Sequence, residues 1–281
     1  STLALIRVWA ALADAHGPRR AVAMSEGEVA VSLAGIVTPL VIGGLAGTAA
    51  SWRFAFVIGA VTVISAVLLV LRADVPAPMP SAAERERPRQ RGPQPTLVIV
   101  LAIVALEFAL SFWLATYLNG SVGIARNTAV AMVSILYAAN LAGRVVASRL
   151  ARTQSPERVL VLAMTSVSCG LPFLLAATNA LAAVIGIVLA GAGIGALFPL
   201  TSSLHVQASG RTADSALGQI LSVAAIGQMG GPLLAGAIAQ AASLRIGLLA
   251  MLPTLTLLAS AGLAAHRRQS KLPARVSAGE T

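Results

Sequence analysis

Apolar runs of roughly 18 residues or more recur along this chain, each long enough to cross a hydrocarbon core about 30 Å thick. They lie at 29–50, 54–71, 96–118, 128–148, 159–177, 180–204, 216–242 and 246–265, with a shorter run at 3–13. Inside a bilayer every backbone N–H and C=O needs an internal partner, so such runs must be helices or closed barrels. Their length and continuity select helices, and the fold class expected is an all-α polytopic membrane protein. Composition agrees: 57% of the 281 residues are apolar and 11% are charged, where a soluble domain carries about 25% charge. The start of the chain has no basic region and no cleavage site, so it does not fit a signal peptide.

A net charge of +10 in a soluble protein would suggest nucleic acid. The positions of the charges indicate orientation instead. With the loop after 3–13 taken as cytoplasmic, that side collects Arg19, Arg20 and Arg72, the linker arginines, Arg149, Arg152, Arg158, Arg211 and the basic tail. The opposite side keeps Arg53, Arg126 and Arg245. This is the asymmetry of the positive-inside rule, and it predicts a cytoplasmic C-terminus. A bilayer is the expected partner, and nucleic acid is not. Arg in excess of Lys, with abundant Ala, fits a GC-rich bacterial genome and hence a bacterial inner membrane. Cys169 is the single cysteine and falls within a span, where packing is its default role.

The chain also repeats. At a shift of 192 positions Arg19 meets Arg211, Gly35 meets Gly227, Gly44 meets Gly236, Ser51 meets Ser243 and Arg53 meets Arg245. In this register the chain opens midway through a helix, with three whole helices expected upstream. The expected organisation is a partial first bundle over 1–71, a linker over 72–95, a six-helix bundle over 96–265 and a basic tail over 266–281. The linker, "RADVPAPMPSAAERERPRQRGPQP", is proline-rich and charged and reads as a flexible tether. Two parallel six-helix halves are a known carrier architecture.

Several segments carry a family resemblance. "ALADAHGPRRAVAMSEGE" is similar to the link between the fourth and fifth helices of major facilitator superfamily transporters. "SWRFAFVIGAV" resembles the entry to their sixth helix, and "GAGIGALFPLTSS" their glycine-rich tenth. Gly227-x-x-x-Gly231-Pro232-x-x-Ala235-Gly236 resembles the antiporter motif usually found in the fifth helix, where here Pro39 and Gly43 keep only part of it. Gly44 adds a further small residue to that fifth helix. "GRVVASRLART" resembles the family's charged loop motif, with Arg152 near the place of the expected acid.

Glu107 stands apart from every other acid. It lies eleven residues into the run 96–118, near the bilayer midplane, where an ionisable group costs about 2.5–3.5 kcal/mol on insertion scales. Such a group faces a bundle interior or a wet cavity, or is a protonated acid bonded to a neighbouring helix. The resemblance implies that this is the seventh helix and lines the substrate cavity. Ser111, Trp113 and Tyr117 follow on the same helix. Asn140 and Arg144 share a face by i, i+4 spacing, with snorkelling of Arg144 to the interface as the alternative. Arg7 is the other charge well inside the membrane, as a partner for Glu107 or for an anionic solute. Thr201 and Gln228, with Ser202, either line the path or satisfy one another. Gly193 and Pro199 either let the tenth helix bend or serve close packing. Glu26 and Glu28 are expected at the start of the fifth helix, and His16, His205 and His266 near cytoplasmic ends.

No nucleophile–base pair, phosphate loop or metal-ligand spacing occurs, so neither an enzyme nor a cofactor is expected. The expectation is a monomeric secondary transporter for a small organic solute, working by rocking of two bundles and coupled to protons through Glu107. The glycine motif adds export as one direction. An uncoupled facilitator and a non-transporting scaffold or inactive fragment are the two competing classes.

Overall fold

The computed structural model describes residues 20–46, 48, 53–72, 95–208, 213–253 and 256, with side chains described from Ser32 onward except at 70, 71, 156, 157, 207, 208, 213 and 214. Eight helices are described: α1 (Arg20–Ala46), α2 (Arg53–Arg72), α3 (Pro95–Ser121), α4 (Arg126–Leu150), α5 (Pro156–Leu175), α6 (Ala180–Ala208), α7 (Ala213–Ala241) and α8 (Leu244–Pro253). There is no strand among the described residues. Five helices, α3 to α7, contain stretches long and apolar enough to cross a membrane.

The connections follow ordinary turn and capping chemistry. Between α3 and α4 the chain reverses at Gly123, whose φ of 80° suits glycine, and Asn119 Nδ2 donates to the Ile124 carbonyl at 2.8 Å. Pro156 opens α5 at a position where its missing N–H costs nothing. Asn179 caps α6, its Oδ1 accepting from Ala182 N at 2.9 Å, and Ser243 Oγ does the same for Ile246 N at the start of α8.

The core sits where α3, α4, α5 and α6 meet. Leu106, Leu110, Leu114 and Leu118 of α3, Leu136 of α4, Leu171 and Leu174 of α5 and Ile187 of α6 are all buried within it. A smaller cluster joins Val100 and Val104 of α3 to Ile220 of α7. Helix α6 packs against both α4 and α5, α7 lies along α3, and α1 lies along α4. Among the described residues helix α2 touches little else, and Phe54, Phe56, Val61 and Leu69 are among its exposed apolar side chains. That is the surface expected of a helix facing lipid tails.

Three sequence expectations are corrected. Helix α1 begins at Arg20, so Glu26 and Glu28 lie within it and not at its first turn. Hydropathy marks where a helix meets lipid, whereas the backbone helix extends two turns further into the polar region. Helix α6 runs to Ala208, so His205 does lie near a helix end, but it is buried against Thr96 at the start of α3 and not solvated. Cys169 is exposed on α5 and does not pack inside. Arg7, His16, the linker 73–94 and the tail with His266 lie outside the described residues.

Candidate transport site

Glu107 lies near the middle of α3 and is half-buried. Its Oε1 accepts a hydrogen bond from Asn140 Nδ2 of α4 at 3.0 Å. Asn140 is itself 4% exposed, and the contact it makes to the half-exposed carboxyl is part-buried. The approach of α6 explains how Asn140 is held. Gly195 lies against the Asn140 backbone carbonyl so closely that any β-carbon there would collide with it. Glycine thus fixes one side of Asn140 while its amide reaches across to α3.

Two further groups complete the polar cluster. Ser111 lies one turn along α3 from Glu107, its Oγ buried and without a hydrogen-bond partner among the described residues, and the Tyr137 phenol of α4 is near enough to feel both Ser111 and the Glu107 carboxylate. The other face of the Tyr137 ring lies against Gly35 of α1, where a β-carbon would press on the ring. Ser134, a turn before Tyr137, donates from Oγ to the Ile36 carbonyl of α1 at 2.7 Å. The cluster therefore lies between α3 and α4, with α1 packed on α4 at Tyr137 and Ser134. Tyr137 and Ser134 were not singled out by sequence reasoning. The signal for Tyr137 was available: it lies three residues before Asn140, and so on the same face of α4.

Other sequence candidates have different surroundings. Trp113 turns to α7, its Nε1 donating to the Pro232 carbonyl at 3.0 Å. Tyr117 is fully buried and donates its hydroxyl to the Leu175 carbonyl at 2.6 Å. Both bind helices together and do not join the Glu107 cluster. Arg144 lies one turn beyond Asn140 and is half-buried. Thr201 is fully buried, and neither its hydroxyl nor that of Ser202 has a hydrogen-bond partner among the described residues; the two do not satisfy each other. Gln228 is exposed on α7.

The glycines serve close approach. Gly227 and Gly231 lie on the α3 backbone at Leu101 and Ala105, and Gly236 lies on the Trp113 ring. Pro232 sits within α7, whose helix continues past it. Gly43 meets Asn127 and Ala131 of α4, while Gly44 has no neighbour that a β-carbon would touch. Gly193 meets Ala163 and Val167 of α5. Pro39 and Pro199 each lie inside a helix, α1 and α6.

A sequence profile described as the Major Facilitator Superfamily matches residues 6–220. The chain belongs to that superfamily. Solved structures agree on the fold. One, of a bacterial homologue of the human lysosomal transporter Spinster in an inward-facing, occupied conformation, matches with a TM-score of 0.66 and 19% identity. The match covers 92% of this chain and 73% of that one. The same homologue, inward-facing and unoccupied, gives a TM-score of 0.62 at 18% identity over 91% of this chain and 72% of that one. No curated protein sequence matches significantly. This major facilitator protein is accordingly a multi-pass membrane transporter and not an enzyme.

Proposed function

We propose that the protein is a proton-coupled secondary transporter that moves a small organic solute by alternating access. The observation that carries this reading is the half-buried Glu107 carboxyl bonded to Asn140 in the middle of α3. A carboxyl group at that depth exists in two forms of very different cost. Neutral, it is tolerated in a dry site; ionised, it needs water or a strong donor. Rocking of the two halves that changes water access to the cluster also changes which form is favoured. That is the requirement for linking proton movement to solute movement.

The contacts of α1 with α4 support a moving interface. Gly35, Ile36 and Gly43 of α1 meet Tyr137, Ser134 and Asn127 of α4, so the carboxylate cluster lies directly behind the seam between the halves. Under the positive-inside orientation, Gly43 and Asn127 lie at the outer end of that seam. Its closure there corresponds to an inward-facing state, the state in which the structural neighbours were captured. The reading includes a bacterial inner membrane, a cytoplasmic C-terminus and a monomer.

Reconstitution into proteoliposomes loaded with a pH-sensitive dye tests the proposal. Across a panel of small organic cations, anions and neutral solutes, at least one is expected to drive a proton flux when added outside. Solute movement with no accompanying proton flux would favour an uncoupled facilitator.

A further inference from the structure

On the side of α4 away from Glu107, the packing leaves a groove. Helices α4 and α5 both lie on α6 but make almost no contact with each other. The space between them, about 210 Å³, is walled by Ala142, Val146 and Leu150 of α4, Val159 and Leu162 of α5, and Ala196 of α6. Small side chains make the groove deep, and its rim is open, with Val146 54% and Leu162 57% exposed. Its hydroxyl, on Ser166, is already turned to the Leu189 carbonyl at 2.7 Å. An apolar occupant therefore meets no unsatisfied polar group on that side chain.

One end of the groove is basic. Leu150 and Val159, which line it, are the chain neighbours of Arg149 and Arg158. Both arginines and Arg152 in the intervening turn are exposed, and Arg158 Nη1 donates to Gln154 Oε1 at 3.3 Å. With Glu157 counted, the turn from Arg149 to Arg158 keeps a net charge of +2, three arginines less one glutamate. An apolar slot ending in fixed positive charge at a helix terminus matches an amphiphile with a hydrocarbon tail and an anionic head.

We propose that this groove is a binding site for an anionic phospholipid of the leaflet on the α4–α5 turn side. One acyl chain lies between α4 and α5, and the phosphate meets Arg149, Arg152 and Arg158. Basic pockets between membrane helices take anionic headgroups in this way. Because Gly195 of α6 holds Asn140, the bound lipid braces the α6 backbone behind the Glu107 cluster. Lipid occupancy itself does not depend on the proposed proton coupling.

The test is native mass spectrometry of the protein released from vesicles of equal phosphatidylglycerol and phosphatidylethanolamine. The wild type is expected to retain phosphatidylglycerol preferentially as one lipid per chain. Replacing Arg149, Arg152 and Arg158 together by Gln should cut that preference about fivefold per charge removed, with the groove untouched. Ala142→Trp fills the groove and should abolish the adduct. If that variant does not fold, the arginine variant decides alone. Equal retention of the two lipids, an adduct unchanged by the arginine substitutions, or a dimer in place of the lipid adduct would each overturn the assignment.

Discussion

At the scale of residues, one polar contact in an apolar helix separates this chain from a mere stack of spans. Glu107 and Asn140 come from different helices and meet at 3.0 Å, and each limits what the other tolerates. Asn140→Leu removes the donor and leaves the carboxyl with less support for its ionised form. Loss of a bond to a charged group costs about 1.5–3 kcal/mol, so proton-driven uptake should fall at least tenfold while the protein still folds. Uptake assays at fixed solute concentration check this, and an unchanged rate would place Asn140 outside the coupling path. Tyr117→Phe should behave in the opposite way. It removes the bond to the Leu175 carbonyl and should lower stability by about 1 kcal/mol, with the KM for solute unchanged. Thermal unfolding and transport measured on the same preparation separate those two effects.

Between helices, much of the packing was legible in the sequence, and part of it was not. The spans and the small-residue stripe in α7 were readable because lipid demands long apolar runs and close packing demands small residues. What the stripe packs against was not readable, since helix pairing depends on the whole bundle. Gly227 and Gly231 turn out to seat α7 on Leu101 and Ala105 of α3. The matching Gly35 instead faces a tyrosine ring of α4. His205 shows a second limit. It keeps its place near the end of α6, but a neighbouring helix covers it there: its Nδ1 lies 2.7 Å from Thr96 Oγ1 in the first turn of α3. Ends of helices are set by partners that a local window cannot see. In α7, Gly231→Val should destabilise the protein by about 1–3 kcal/mol, because the new side chain overpacks the Ala105 backbone. Fluorescence-detected thermal unfolding would show it; unaltered stability would mean that α7 does not lie on α3 as described.

For the whole molecule, the proposed rocking requires the seam between α1 and α4 to part and rejoin. An added β-carbon at Gly43 would stand 3.0 Å from the Ala131 β-carbon, close to disulfide range after a small shift. With Cys169 replaced by Ser, the double variant Gly43→Cys and Ala131→Cys should cross-link under oxidation and lose transport. Reduction should restore it. Full transport by the cross-linked protein would show that this seam does not open during the cycle.

The most direct test of the central claim compares two modes of transport by the Glu107→Gln variant in proteoliposomes. Coupling through this carboxyl requires that uptake driven by a pH gradient collapse. Solute exchange at equal pH on both sides needs no net proton transfer and should persist. A variant that still accumulates solute against its gradient when only a pH gradient is supplied would contradict the assignment.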